Sequence, residues 1–165
     1  MSVIGNAITL GGSGGGGEYP HVTTKLFWNG YVDAYPANAW TSAQGSYGNV
    51  SVSDGKIIFN GSASTYGSQG FAITAGIDLT NYSRLWCRAK GIQQGDNRIR
   101  IVVSTRALSS SNYTSWYSSS ILTSLNLAND NTEHLYVVDL NDINTTCYLG
   151  FGGQMKAEFY EFWLE

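Results

Sequence analysis

The sequence predicts an all-β fold in which short strands zip into two facing layers. Three observations carry this. Short apolar stretches recur along the chain, several of them alternate apolar and polar residues, and tight-turn dipeptides such as Asn29-Gly30, Asp54-Gly55 and Asn60-Gly61 close them. Segments of helical period are almost absent. Strands this short and evenly spaced form a β-sandwich or barrel.

The elements follow in order. The stretch LFWNG ends on a turn dipeptide and opens the strand series. In NVSVSDGKIIFNG two apolar runs flank Asp54-Gly55, the strongest hairpin signal in the chain, and Val50 and Val52 alternate with Ser51 and Ser53 as a half-buried strand requires. GFAITAGIDL follows, then YSRLWCRAKG, where Leu85, Cys87 and Ala89 share one face and Trp86, Arg88 and Lys90 the other. RIRIVVSTRA places Ile99, Ile101 and Val103 together. LYVVDL, TCYLGFGG and AEFYEFWLE complete the series. Strict alternation through the last puts Phe159, Glu161 and Trp163 on one face and Tyr160, Phe162 and Leu164 on the other, with Glu158 opposite Glu161. YPANAWTSAQ reads as irregular or one helical turn, and SSILTSLNLANDN as a loop or short helix.

Three segments divide the chain. Residues 1–10 are a short apolar peptide with Val3, Ile4, Ala7, Ile8 and Leu10, read either as an anchor that docks into another protein or as an ordinary first strand. Residues 11–20, GGSGGGGEYP, have few side chains to bury and read as a flexible linker. Residues 21–165 are the β-sandwich domain, long enough for one self-sufficient core.

Only 13% of the 165 residues are charged, about half the usual share, and the formal net charge is −3. Ser, Thr, Asn and Gly supply the missing polarity, a surface suited to neutral sugars or other proteins. Nucleic acid is excluded as a partner, because phosphate neutralisation needs clustered Lys and Arg. No stretch reaches the roughly 20 apolar residues of a membrane span. The start MSVIGNAITL lacks the basic and long apolar regions of a secretory signal, so a virion or extracellular location is expected without a visible signal peptide. Cys87 and Cys147 both sit in strand-like stretches, where a free buried pair or one bridge would fit.

Catalytic chemistry finds little to work with. His21 ends the linker, and His134 precedes a strand in NTEHLY as a solvated turn residue would. No carboxylate pair stands out for glycosidase chemistry, so a non-enzyme is expected. The aromatics are more informative, with 5 Trp and 11 Tyr. Trp116, Tyr113 and Tyr117 lie in the serine-rich stretch SSSNYTSWYSSS, and Trp40, Tyr47 and Tyr66 in the similar WTSAQGSYG and STYGSQG. Large rings among small adaptable polar residues make binding loops, and these six are the expected ligand-binding residues. The competing expectation is that the rings pack on the core beneath long loops or in an oligomer interface.

The opening LFWNG, the hairpin VSVSDGKIIFNGSA, the phrase IDLTNYSRLWCRAKG and the closing FYEFWLE together resemble the jelly-roll domains of carbohydrate-binding modules and of bacteriophage or prophage tail and fibre proteins. The resemblance covers roughly residues 25–165. It implies an antiparallel two-sheet jelly-roll sandwich that presents a ligand or assembles, and it transfers no catalytic residue. Such domains often hold a structural Ca2+, for which Asp139 and Asp142 are the weak candidates here. The expected function is a non-catalytic phage or prophage structural protein, a fibre-like surface domain for adhesion to cell-surface glycans or for assembly. Residues 1–10 would then meet other virion proteins, and a homotrimer would be expected from the family. The alternative is a carbohydrate-binding module of a secreted glycan-degrading enzyme, and a small hydrolase is the least favoured reading.

Overall fold

The computed structural model describes residues 6–9, 22–28, 40–45, 48–61, 68–94, 99–113, 116 and 121–165, of which the first four are described by their backbone. The expected linker, residues 11–20, lies outside them, as do residues 1–5 and 10.

Twelve strands make up the regular structure: β1 (Asn6–Thr9), β2 (Thr24–Trp28), β3 (Trp40–Gln44), β4 (Val50–Ser53), β5 (Lys56–Asn60), β6 (Ser68–Ile73), β7 (Ile77–Asp78), β8 (Arg84–Gln94), β9 (Arg100–Ser104), β10 (Ile121–Asn126), β11 (Glu133–Asp139) and β12 (Thr146–Leu164). All pairings are antiparallel, and apart from a short ladder of β7 on the start of β12 they form two sheets. The first runs β1-β11-β8-β12-β5-β4, with β2 also on β12. The second runs β3-β6-β12-β9-β10. The all-β sandwich expected from the sequence is therefore the observed fold.

β12 belongs to both layers. Its first part, Tyr148–Gln154, pairs with β6 and β9, and its second part, Met155–Leu164, pairs with β8, β5 and β2. The sequence suggested two separate strands here. They are one because Gly153 takes φ 146°, which a side chain would resist, and the strand turns there from one sheet into the other.

The hairpin prediction holds at β4 and β5. Asp54 (φ 51°) and Gly55 (φ 77°) form a two-residue turn with both φ positive, which suits the twist of the flanking strands. Two stretches differ from expectation. Trp40–Gln44 and Ile121–Asn126 are the edge strands of the second sheet, formed by pairing with β6 and β9 despite their polar composition.

The core lies between the sheets. Leu26, Phe27, Ile57, Phe59, Leu85, Cys87, Ala89, Tyr136, Val138, Phe159, Phe162 and Leu164 of the first face Phe71, Ile73, Ile101, Val103, Leu149 and Phe151 of the second, all buried. Phe151 stacks on Phe159 at 3.8 Å between ring centroids. Cys87 and Cys147 are buried and free, and burial pushes both thiols up in pKa.

Candidate ligand-binding face

A two-layer sandwich has two outer faces, and here they differ in kind. The second sheet turns outward a floor of small residues, among them Ala43, Gly70, Ala72, Val102 and Gly150. Leu108 and Trp116, from the connection between β9 and β10, lie on it, with Ala43, Ala72, Val102, Leu108 and Trp116 forming one buried cluster. The fit is close. A Cβ on Gly70 would come 3.0 Å from Leu108 Cδ1, and one on Gly150 would strike the Phe71 carbonyl and the Ala72 Cα.

Trp116 has 0% exposure, and its indole N–H donates to the Arg106 carbonyl at 2.7 Å. Both ring faces are spent on packing, so the packing expectation describes it rather than ligand contact. Tyr113 sits half-buried at the margin of this cluster, and its hydroxyl lies 3.0 Å from the Cβ that Gly45 lacks. Trp40 turns inward. It stacks on Phe71 at 4.9 Å and reaches Phe151 and Phe162 at 6.3 Å, closing the open edge between the layers. Tyr47, Tyr66 and Tyr117 lie outside the described residues. The structure thus brings Tyr113 and Trp116 together and leaves Trp40 elsewhere.

The outer face of the first sheet is built by two strands that the sequence marked for other reasons. On β8 the outward residues are Arg84, Trp86, Arg88 and Lys90, as alternation from Leu85 requires. On β12 alternation fails. Phe159 pairs with Ala89 but Glu161 pairs with Arg88, so Tyr160 is an extra residue in a β-bulge. The bulge advances the phase by one. Glu158, Tyr160, Glu161 and Trp163 all belong to the outer side, and Phe159, Phe162 and Leu164 all face the core. The separation of Glu158 from Glu161 expected from strict period two is corrected by this residue.

Along this face the side chains form a continuous row. At one end Trp86 stacks on Trp163 at 6.0 Å, and Trp28 meets Trp163 edge-on at 5.5 Å. Trp86 and Trp163 are buried within this cluster, while Trp28 is half-exposed under the Lys25 ammonium, 4.9 Å from its ring. The Trp86 N–H donates to Glu165 Oε2 at 2.6 Å, so this indole is fixed by a carboxylate beside it.

Next comes Arg88, which donates from Nε to Glu161 Oε2 at 2.9 Å and from Nη1 to Glu133 Oε1 at 2.5 Å. Burial works against its charge, but the two carboxylates hold it firmly protonated. Its guanidinium lies 5.0 Å from the centre of the half-buried Tyr160 ring. The Tyr160 hydroxyl donates to Glu158 Oε2 at 2.6 Å. Burial, and then that bond, push its pKa above the ordinary phenol value. Glu158 also takes Lys56 at 2.7 Å and Lys90 at 3.3 Å. Burial pushes the Glu158 carboxyl up, but the donors outweigh it and bring it down to about 2.

Sequence reading missed Tyr160, because strict alternation grouped it with Phe162 and Leu164, which face the core. The signal that could have found it is the crowding of five large apolar residues and three glutamates into AEFYEFWLE, more than either face of a regular strand accommodates.

His134 is a buried residue of β11, bonded through Nε2 to Asp130 Oδ2 at 2.8 Å and edge-on to Tyr136, which corrects the solvated turn position expected for it. The Asp139 carboxylate accepts from the Asn141 amide and closes its own turn, and Asp142 is exposed. Among the described residues no group of three or more His, Cys, Asp or Glu side chains gathers to hold a metal. Among them, too, no helix is long and apolar enough to cross a membrane.

No protein-family model and no curated protein matches the sequence. Solved structures do resemble the fold. A mutant of a family 29 carbohydrate-binding module aligns over 86% of this chain and 90% of its own, with 12% identity and a TM-score of 0.50. Another family 29 mutant structure, complexed with mannohexaose, aligns over 87% and 91%, with 13% identity and a TM-score of 0.51. A family 29 module from Piromyces equi aligns over 99% and 91%, with 11% identity and a TM-score of 0.44. At these identities the likeness is one of fold, the β-sandwich.

Proposed function

We propose that this chain is a non-catalytic carbohydrate-binding domain whose ligand lies on the outer face of the first sheet, across Tyr160. One observation carries the reading: a half-exposed aromatic ring is set among donors and acceptors that ion pairs hold in place. Sugar rings offer C–H faces to aromatic groups and hydroxyls to charged side chains. Arg88, Lys56, Lys90, Glu133 and Glu158 supply both partners around Tyr160. Because their positions are fixed beforehand, binding loses less side-chain entropy. The opposite outer face supports the choice, since Trp116 and Leu108 already fill its floor.

The fold neighbours reported above are carbohydrate-binding modules, one of them in complex with a mannose oligomer. The module reading is therefore placed ahead of the phage-fibre reading, which rested on the phrasing of residues 1–10 and on the resemblance. Nothing in the arrangement asks for bond-breaking chemistry: Glu158 and Glu161 are both committed to cations.

Titration calorimetry against a panel of neutral and acidic oligosaccharides tests the proposal. Tyr160→Ala is expected to abolish measurable binding while the variant remains folded by near-ultraviolet circular dichroism. Tyr113→Ala serves as the second arm, and a loss seen there but not in Tyr160→Ala would move the site to the loops of the second sheet.

A further inference from the structure

A phenol hydroxyl has one proton to give and lone pairs with which to accept. The proton of Tyr160 is given to Glu158 Oε2 at 2.6 Å. It has no alternative use there. Lys56 donates to Glu158 Oε1 at 2.7 Å and Lys90 stands 3.3 Å from Oε2, so the carboxyl stays ionised and can only accept. Burial and the same bond keep the phenol protonated. Among the described residues no donor reaches the phenol oxygen, which therefore keeps an open acceptor site.

Other acceptors near the ring are spent or hidden. Glu158 already takes three donors, and Glu161 is 4% exposed and bonded to Arg88. Glu133, with one oxygen on Arg88, lies beyond the guanidinium. Cations crowd the ring itself, with Arg88 at 5.0 Å and Lys56 at 6.0 Å from its centre. We propose that Tyr160 reads a sugar hydroxyl through its phenol oxygen, which accepts from the sugar while donating to Glu158. The inference rests on the carbohydrate reading above and states what the bound glycan has to carry: a free hydroxyl beside the C–H face that meets the ring. Each bond in such a chain polarises the next, so donation to a carboxylate makes the phenol oxygen a better acceptor. A glycan acylated or alkylated at that hydroxyl keeps its stacking face and loses the contact.

The test is calorimetry of the intact chain with mannohexaose and cellohexaose. Tyr160→Phe keeps the ring and removes the oxygen, and Lys56 and Lys90 still hold Glu158. It should weaken the tighter oligomer by about fivefold, the loss of one modest hydrogen bond, with thermal unfolding showing that the fold is intact. Monodeoxy analogues of that oligomer locate the donor. One of them should bind the wild type and Tyr160→Phe alike, about fivefold below the parent sugar on the wild type, while the others still distinguish the two proteins. In proton NMR spectra the Tyr160 hydroxyl signal, shifted downfield by the carboxylate, should stay in place when the protein is saturated with sugar. Unchanged affinity in Tyr160→Phe beside a loss in Tyr160→Ala overturns the inference while the carbohydrate reading stands. An equal loss for every analogue, the mark of a hydroxyl that only steadies the ring, overturns it too, as does a hydroxyl signal that moves away on binding. Failure of the wild type to bind any oligosaccharide sinks the carbohydrate reading and this inference with it.

Discussion

Glu158 receives three donors on one carboxylate, from Lys56, Lys90 and Tyr160. Its pKa is lowered from 4.5 to about 2, so its ionised form is favoured by folding. The stabilisation is fully present above pH 4.5 and fades as the pH falls toward 2. In denaturant titrations across that window, Glu158→Gln should lose less stability than the wild type, by about 1 kcal/mol for partly exposed pairs. Parallel losses in the two proteins would show that the pairing adds nothing. Trp116 makes the opposite case. Its ring is sealed against Leu108 and the small residues of the second sheet. Trp116→Ala should therefore cost about 3–5 kcal/mol of stability, as large buried truncations do. A ring held for ligand contact would instead leave the unfolding midpoint unchanged.

At the scale of the element, the bulge at Tyr160 decides what the first sheet shows to solvent. One inserted residue keeps Phe159 and Phe162 in the core while setting Tyr160, Glu161 and Trp163 outside. Deleting Tyr160 restores plain alternation without displacing an inward residue, so the variant is expected to fold, within about 3 kcal/mol of the wild type. Deleting Phe162 should abolish the fold, since every later side chain would change sides. Solubility and circular dichroism of the two deletions decide the matter. This also explains what the sequence did and did not disclose. The Asp54-Gly55 hairpin and the inward faces of β8 and β9 follow from period two and turn chemistry alone, and they are as expected. The outward position of Tyr160 on β12 was hidden, because nothing in FYEF marks which residue is the extra one until β8 supplies a register. Loop composition misled for a related reason: Ser-rich surroundings are compatible with exposure, but Trp116 found a floor of Gly and Ala contributed by strands distant in sequence.

For the whole molecule, the governing feature is that β12 runs from one layer into the other. Its pairing partners include β6 and β9 on one side of Gly153 and β8, β5 and β2 on the other. Sandwiches whose layers are joined only by loops can, in principle, loosen one layer at a time. Here a continuous backbone is central to both, so breaking either half frees the strand that anchors its counterpart. Native-state amide exchange should report one opening free energy for Leu149 in the second sheet and Phe159 in the first. Two separate values would show layers that open alone. The protein therefore has no seam along which it could peel, and a ligand gripping the outside of one layer at Tyr160 would slow the breathing of the far layer as well.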